Sequence, residues 1–355
     1  MIKKVLFAAV ILTATISLSG CIKIGQKTAE PSVQGGVFVS GDKGETWVRK
    51  VDLMTPGSIP GLIGDTGDVN VVEFKFDPTD SRYLYMGTAE NGLFYSNNNG
   101  KGWIADETIN SGFIRGIGID PKAPCTVYVG VNTRLMKTTT CGRFWEETYK
   151  VPLPQLVTAV GVDYYNTNIV YVGLDTGDLL KSVDSGKNWE RVKNFSSRVN
   201  NITFDKDDSR IIYIGTEKNY LSISRDAAGN FESTKEAMAD FKDSARAIEV
   251  AQDAKSGELY YATGFGILRS KDKGVSWEEV KLITVPAKTD IYSMAINPKN
   301  GNEIYYATPT NVYRSVDAGA TWSTWRLPTT RTGRAMAVHP DDGNVVYLGV
   351  RLYEE

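Results

Sequence analysis

The 355-residue sequence is poor in the side chains that most often bind metals, with one histidine and three cysteines. It offers no Cys/His spacing typical of a zinc site and no glycine-rich phosphate loop. Its 40 Lys and Arg against 42 Asp and Glu leave no clustered positive charge to indicate nucleic-acid binding. We therefore expect no metal, no cofactor and no nucleic-acid partner. The 34 glycines and seven tryptophans are typical of a globular protein rich in turns.

A long apolar run occurs only near the start of the chain. Two lysines precede apolar residues 5–16, and a Leu-Ser-Gly segment stands directly before Cys21. The run is too short for a spanning helix and has the layout of an export signal. The LSGC string closely resembles the bacterial lipobox, which implies cleavage before Cys21 and lipid attachment to it. A cytosolic protein with a buried N-terminal strand is the alternative.

These features predict the organisation of the mature protein. Residues 1–20 would be a lipoprotein signal peptide, and their removal takes away two lysines, leaving 38 basic against 42 acidic residues. Residues 21–34 would form a polar tether of about 20 Å. We expect an extracytoplasmic, membrane-anchored lipoprotein on the periplasmic side or the cell surface, acting as a monomer.

One eight-residue motif recurs seven times along the chain. Six of the seven tryptophans fall in these copies. The copies are SGDKGETW (40–47), SNNNGKGW (96–103), TTTCGRFW (138–145), SVDSGKNW (182–189), SRDAAGNF (224–231), SKDKGVSW (270–277) and SVDAGATW (315–322). Four of them match Ser-x-Asp-x-Gly-x-(Ser/Thr/Asn)-Trp fully, and the pattern resembles the Asp-box, or BNR repeat.

Each position of the motif suits a tight β-hairpin. Asp and Ser can accept hydrogen bonds from loop N–H groups, Gly supplies a positive φ, and Trp offers an apolar face. The boxes are therefore interpreted as structural. Their residues are Asp42, Asp184, Asp226, Asp272, Asp317, Trp47, Trp103, Trp145, Trp189, Trp277 and Trp322. The fifth copy has Ala228 for Gly and Phe231 for Trp, so we expect its hairpin to be the loosest.

Two further markers keep step with the boxes. A Tyr-containing strand such as TVYVGV recurs every 42–47 residues, and an apolar strand such as RGIGIDP precedes each one. Strand A, strand B, strand C, box turn and strand D make four antiparallel strands in about 44 residues, the size of a propeller blade. Residues 35–355 are thus predicted to be an all-β, seven-bladed β-propeller.

The chain is permuted relative to the blade, since it begins with strand C and ends with strands A and B. Seven blades are complete only if the N- and C-terminal strands share the closing one, which leaves no free sheet edge. Val37–Ser40 should then lie beside the strand near Val345–Val350.

Cys125 and Cys141 remain after the lipidated cysteine. An isolated pair in an exported protein favours a disulfide, worth roughly 3 kcal/mol for a loop of this size. Cys125 opens a strand B and Cys141 sits in the turn after its neighbour C, so the two should meet. Two free thiols are the alternative.

Arginines mark the propeller face formed by the D–A and B–C loops, opposite the boxes. Arg115, Arg246 and Arg334 are assigned to one repeat position, with Arg198 two residues further out; Arg326 and Arg331 lie near the same rim. If strand A is innermost, these side chains converge on the channel mouth. Such a ring suits carboxylate or phosphate recognition. Separately solvated arginines are the alternative.

Other unusual side chains fall on or near strand A. The residues that replace Gly, Ala or Ser there are Glu73, Lys75, Asn201, Thr203 and Glu249. Aromatic residues near the same rim are Tyr292, Phe265 and Trp325. They either touch a ligand or simply line a wet channel and pack. Segment 53–70, with Leu62 and Ile63, is a binding loop or a mobile surface loop.

Catalytic patterns are hard to find. No Arg-Ile-Pro string and no clear tyrosine–glutamate pair of the sialidase type is present, although three arginines are. His339 occupies a turn position held by Asp or Asn in other repeats, which favours a structural role.

The repeats over 35–355 resemble those of the photosystem II assembly and stability factor family, of sortilin-type receptors and of two-propeller xyloglucanases. The first resemblance implies a lipid-anchored propeller with an arginine patch, matched by Arg115, Arg246 and Arg334. We therefore expect a non-catalytic, membrane-anchored scaffold that binds a protein or peptide, with Arg115, Arg198, Arg246, Arg334, Tyr292 and Glu249 as ligand-binding candidates. The alternative is a glycoside hydrolase or a glycan-binding lectin. No photosynthetic context follows from the sequence.

Overall fold

The computed structural model describes residues 34–54 and 65–352. Within these ranges all regular secondary structure is β-strand. The same ranges contain no helix long and apolar enough to span a membrane. The predicted signal peptide (1–20), Cys21 and most of the tether (21–34) lie outside the described residues. So do Leu62 and Ile63.

Twenty-eight strands follow one another along the described chain. The first fourteen are β1 (Gly36–Ser40), β2 (Val48–Arg49), β3 (Val71–Phe76), β4 (Leu84–Thr88), β5 (Leu93–Ser96), β6 (Ile104–Ala105), β7 (Ile114–Ile119), β8 (Val127–Val131), β9 (Arg134–Thr138), β10 (Glu146–Lys150), β11 (Val157–Val162), β12 (Val170–Leu174), β13 (Asp178–Ser182) and β14 (Glu190–Asn194). The second fourteen are β15 (Val199–Phe204), β16 (Ile212–Thr216), β17 (Leu221–Ser224), β18 (Glu232–Ser233), β19 (Ala247–Gln252), β20 (Leu259–Thr263), β21 (Ile267–Ser270), β22 (Glu278–Val280), β23 (Ser293–Asn297), β24 (Asn300–Ala307), β25 (Asn311–Ser315), β26 (Ser323–Arg326), β27 (Thr332–Val338) and β28 (Val346–Arg351).

The strands form seven four-stranded antiparallel sheets, the blades of a β-propeller. Blades 1 to 6 are the consecutive groups β3–β6, β7–β10, β11–β14, β15–β18, β19–β22 and β23–β26. Blade 7 has the order β2-β1-β28-β27. The first strand of each blade, strand A, is innermost and packs beside strand A of the next blade around the axis. The predicted seven-bladed, all-β fold is confirmed.

Blade 7 closes the ring by joining the two ends of the described chain. Gly36 pairs with Val350 and Ser40 pairs with Val346, with β1 antiparallel to β28 along its whole length. The predicted neighbourhood of Val37–Ser40 and the last strand is therefore confirmed. Because the closing sheet needs both ends, its hydrogen bonds leave no free edge at the seam.

The tyrosine and glycine of strand B hold neighbouring blades together. The Tyr128 and Tyr171 hydroxyls each donate to a backbone carbonyl in the box turn of the next blade, at 3.1 Å. At Gly130 a Cβ atom would overlap the side chain of Val157, the first residue of strand A in the next blade. This position is therefore kept small because an incoming strand packs directly on it.

The box turns are built by the hydrogen bonds that the motif predicts. In the fourth box, Gly186 N donates to Ser182 Oγ at 2.8 Å and Asn188 N donates to Asp184 Oδ1 at 2.8 Å. Hydrogen bonds to Asp184 from the Asn188 backbone N–H, the Asn188 side chain and the Ser182 hydroxyl, in that order, lower the pKa of Asp184 to about 2. Gly186 has a φ of 91°, which a glycine adopts without the steric cost of a side chain.

The other boxes keep the same pattern with substitutions. Equivalent Asp–backbone bonds occur at Asp42, Asp226, Asp272 and Asp317. In the fifth box, Ala228 N donates to Ser224 Oγ at 2.9 Å although Ala228 has a φ of 73°. The hydrogen bonds of this hairpin are thus complete. These hydrogen bonds give no sign that the fifth hairpin is looser than the others. The effect of replacing Gly by Ala228 is that an alanine adopts a left-handed backbone conformation.

The box tryptophans pack between blades. Trp103 is fully buried and its indole N–H donates to Lys50 O at 2.9 Å. The Trp145 indole donates to Asp106 Oδ2 at 2.7 Å. The other five box tryptophans are half-buried: Trp47, Trp145, Trp189, Trp277 and Trp322.

Cys125 and Cys141 lie on the box face with their Cα atoms 4.1 Å apart, and their sulfur atoms are bonded. Cys141 N also donates to Cys125 O at 3.3 Å. The pair therefore ties the A–B turn of blade 2 to its box turn.

Candidate functional site

A channel runs along the axis of the propeller between the seven A strands. Two adjoining cavities of about 690 and 470 Å³ share lining residues, among them Glu73, Lys75, Arg115 and Glu249. The larger cavity opens on the face formed by the D–A and B–C loops. Five arginines line it, and we call them the arginine mouth: Arg115, Arg198, Arg246, Arg334 and Arg351.

A β-bulge presents two of these arginines. In six of the seven A strands the register shifts by one residue near the mouth. The bulged residue is Arg115 in β7 and Arg334 in β27. Tyr292 holds the equivalent position in blade 6, because Ser293 pairs with Ala307 there. Bulges re-aim side chains, which places these residues at the channel opening.

Arg246 does not share that repeat position, so this prediction was wrong. The bulged residue of β19 is Ile248, and Arg246 precedes it by two residues. Arg246 is instead equivalent to Arg198, which precedes the bulged Asn200 of β15 by the same distance. Both positions nevertheless line the mouth cavity. The four predicted arginines are therefore brought together, in two tiers of two.

The two tiers differ in their partners. In the outer tier, Arg198 lies 3.5 Å from Glu217 and Arg246 lies 2.6 Å from Asp290. In the inner tier, Arg334 Nη1 donates to the carbonyl of Tyr292 at 3.3 Å. Across the described ranges, no carboxylate lies within ion-pair distance of Arg115 or Arg334.

The environment of Arg115 is strongly cationic. Burial, followed by the nearby charges of Arg198, Arg351 and Arg334, lowers its pKa to about 10. The guanidinium stays protonated at neutral pH but is held among like charges. An anion that entered the mouth would relieve this repulsion.

Two glutamates lie deeper in the channel, at a position where four of the other five blades have Gly, Ala or Ser and blade 4 has Asn201. Glu73 pairs with Gly87 and Glu249 with Ala262, the position of Gly116 in β7. Burial raises the pKa of each to about 7, although the charges of Lys75 and Arg334 oppose the rise. Glu249 also raises the pKa of Glu73, so the two carboxyls are close enough to interact.

The remaining polar residues predicted for strand A also line the channel. Asn201 and Thr203 border the inner cavity together with Lys75. The Thr203 hydroxyl donates to Val250 O at 3.5 Å. No group of three His, Cys, Asp or Glu in the described ranges could hold a metal ion.

Arg331 and Arg326 do not join the mouth, contrary to expectation. Arg331 is buried and lies 3.3 Å from Asp68. It therefore ties the segment before β27 to the segment before β3. Arg326 is exposed on the outermost strand, β26, far from the axis in the order of the blade.

Two aromatic candidates are packing residues. Phe265 packs edge-on against Phe241, with ring centroids 5.3 Å apart. Trp325 belongs to the outer strand β26, where Arg314 lies over its ring at 5.1 Å. Tyr292, in contrast, lines the mouth cavity.

His339 has the structural role that its turn position predicts. It is buried, and its Nδ1 accepts hydrogen bonds from Asp341 N and Asp342 N at 3.1 Å each. Asp120 does the same in blade 2, accepting from Lys122 N at 2.8 Å. Burial lowers the pKa of His339, which keeps the ring neutral as an acceptor.

Sequence reasoning missed one arginine of the mouth, Arg351, and an aromatic ring beside it, Phe113. Arg351 ends β28, a strand B, so a search along strand A could not find it. Phe113 lies in the D–A loop before β7, and its ring is 4.0 Å from the Arg115 guanidinium and 5.2 Å from that of Arg351. In the sequence, only the Phe-Ile-Arg order of residues 113–115 indicates that the Phe113 side chain lies near the arginine mouth.

The fold and the channel define a seven-bladed Asp-box β-propeller with a cationic axial pocket. A family model described as sortilin, neurotensin receptor 3 (Sortilin-Vps10) matches residues 266–351. No curated protein sequence matches the chain significantly.

Solved structures share the fold at low identity. The GH74 xyloglucanase of Xanthomonas campestris is 18% identical with a TM-score of 0.65, over 80% of this chain and 51% of that one. The Niastella koreensis GH74 enzyme is 16% identical with a TM-score of 0.67, over 85% and 53%. YCF48 bound to a D1 peptide is 14% identical with a TM-score of 0.61, over 81% and 94%. The chain thus spans about half the length of the GH74 enzymes. These similarities confirm the resemblances that the repeats indicate.

Proposed function

We propose that this protein is a non-catalytic binding scaffold whose arginine mouth takes a carboxylate-bearing segment of a protein or peptide. The observation that supports this most directly is the inner tier: Arg115 and Arg334 converge on one cavity with no carboxylate at ion-pair distance in the described part of the chain. Guanidinium groups bind carboxylates through charge-assisted and often paired hydrogen bonds. A ligand carboxylate here would place an ion-pair partner directly beside Arg115 and Arg334.

Size and similarity support a peptide as the ligand. A cavity of about 690 Å³ is in the range of pockets that bury a small ligand or several side chains. YCF48, which has the same fold and nearly the same length as the matched part of this chain, is known with a bound D1 peptide. That a propeller of this fold binds a peptide supports a peptide as the ligand of this protein as well.

A peptide-display selection on the purified propeller tests the proposal. We expect selected peptides to carry acidic side chains or a free C-terminal carboxylate, and to lose at least tenfold in affinity for the Arg115→Ala/Arg334→Ala variant. Arg326→Ala is the matched control, because it removes an exposed arginine outside the mouth. Selection of neutral peptides that bind both variants equally would refute the proposal.

A glycan-active enzyme is the second candidate, favoured by the two channel glutamates. A glycoside hydrolase uses two carboxyls, one of them with a raised pKa so that it can donate a proton. Glu73 and Glu249 both have pKa values near 7. Turnover of a polysaccharide such as xyloglucan that disappears in Glu249→Gln and in Glu73→Gln would establish this function instead. Absence of turnover, with peptide binding intact, favours the scaffold.

We also propose that the protein is anchored to a membrane through Cys21. The described chain starts beside the mouth, since Gly36 pairs with Val350 and the Thr329 hydroxyl contacts Gln34 O. A tether of residues 21–34 would therefore leave on the ligand-binding face and hold that face near the membrane. We expect labelled fatty acid to be incorporated into the wild type and not into Cys21→Ser. Labelling of both proteins, or of neither, would contradict the anchor.

A further inference from the structure

Phe113 stands between two cations of the mouth that come from different blades. Its ring centroid is 4.0 Å from the guanidinium carbon of Arg115 in blade 2 and 5.2 Å from that of Arg351 in blade 7. Blade 1 separates these two blades. One ring therefore brings together arginines whose strands do not pair.

The backbone around Phe113 is fixed from both sides. Phe113 N donates to Asn132 Oδ1 at 3.1 Å, and Asn132 N donates back to Phe113 O at 3.1 Å. The preceding Gly112 bonds to blade 1, where its N–H donates to Glu90 O at 2.9 Å. With φ at 96°, Gly112 turns the chain so that the ring can face the mouth. The ring is thus carried by a hydrogen-bonded loop.

Stacking leaves the donors of a guanidinium available to a ligand. A cation over an aromatic face is attracted by the ring quadrupole, and guanidinium groups commonly stack flat on such a face. The Arg115 guanidinium carbon, 4.0 Å from the Phe113 centroid, is close enough for this stacking. The in-plane N–H groups of Arg115 then remain free for an anion. A carboxylate neighbour would instead neutralise Arg115 and occupy those donors. An aromatic partner therefore holds Arg115 in place without consuming its binding capacity.

We propose that Phe113 is a positioning residue of the arginine mouth, holding the Arg115 guanidinium oriented for a ligand carboxylate. The inference rests on the proposed function, because it assigns how that site keeps Arg115 oriented before a ligand binds. Arg115 is the group that touches the ligand, and Phe113 acts through it.

Two substitutions of Phe113 test whether its aromatic face, and not only its apolar volume, is needed. Phe113→Leu keeps an apolar side chain and removes the aromatic face, whereas Phe113→Tyr keeps the face. The probe is a rhodamine-labelled tetraglutamate peptide, with its dissociation constant measured by fluorescence anisotropy at low salt. We expect binding to weaken roughly tenfold in Phe113→Leu, the size of a partly buried cation–π contact with Arg115, and to change less than about threefold in Phe113→Tyr.

A double-mutant cycle distinguishes positioning from plain packing. If Phe113 acts through Arg115, Phe113→Leu should weaken binding little further in an Arg115→Ala background. Thermal unfolding of each variant checks that the fold is retained, and Phe113→Tyr gives a folded aromatic reference. Equal binding by Phe113→Leu and the wild type, or fully additive losses in the cycle, would overturn the inference while leaving the proposed function intact. Failure of the wild type to bind tetraglutamate would overturn the proposed function itself.

Discussion

Replacing Glu249 by glutamine should stabilise the protein at alkaline pH. Burial in the channel raises the pKa of Glu249 from 4.5 to about 7, against the opposing charges of Arg334 and Lys75. The folded state therefore resists ionisation of this carboxyl, and the unfolded chain does not. Its favourable contribution is fully present below pH 4.5 and is lost as the pH rises through about 7. Glutamine keeps the shape without the titration.

The size of the effect follows from the two pKa values. At 1.36 kcal/mol per pH unit, a rise from 4.5 to about 7 corresponds to about 3 kcal/mol above pH 7. Because Glu249 lines an open cavity, solvent screens part of this penalty, so we expect about 1–3 kcal/mol, or roughly 2–6 °C in Tm for a domain of this size. Below pH 4.5 the variant and the wild type should be equally stable.

Thermal unfolding monitored at pH 5 and pH 8 measures the difference. Glu279→Gln is the matched control, because Glu279 is exposed on the outer strand β22. We expect the control to melt with the wild type at both pH values. A Glu249→Gln variant that is less stable than the wild type at pH 8 would refute the burial of an ionisable carboxyl at this place in the channel.

Three further predictions concern ligand affinity, blade packing and the disulfide. Tetraglutamate should bind more tightly as the pH falls from 8 to 6, because protonation of Glu73 and Glu249 makes the mouth more cationic. The Glu73→Gln/Glu249→Gln variant should bind tightly at both pH values. If that variant kept the pH dependence of the wild type, the two glutamates would not be its cause. Gly130→Ala should cost about 1–3 kcal/mol in denaturant unfolding, because its Cβ would overlap Val157, whereas Gly41→Ala, with open space around it, should change stability by less than about 0.5 kcal/mol. Mass spectrometry of the unreduced protein should show the Cys125–Cys141 link, and alkylation of both thiols would exclude it.

Much of the fold could be predicted because every blade repeats the same local chemistry. The box turn needs two short polar acceptors and a left-handed residue at fixed spacing, so seven copies count seven hairpins directly. The placement of Val37–Ser40 beside the last strand followed from counting the boxes together with the A and B strands. Where the motif departs from its consensus, as at Ala228, the turn still forms, because the Ser and Asp acceptors are retained.

The site was predicted less completely, since repeat arithmetic does not show bulges or pairings across blades. Arg246 and Arg115 look equivalent in sequence, but the bulge of β19 falls on Ile248, which sets Arg246 in the outer tier. Arg331 looks like another mouth arginine in the sequence, yet it forms an ion pair with Asp68, which lies far away along the chain. Arg351 reaches the mouth from a strand B, so only the folded register places it beside Phe113.

The structure of the propeller with bound tetraglutamate is the most direct test of the central claim. We expect a carboxylate in the axial cavity, with its oxygens within hydrogen-bonding distance of the Arg115 and Arg334 guanidinium groups. A peptide bound elsewhere, with the arginine mouth unchanged, would contradict it.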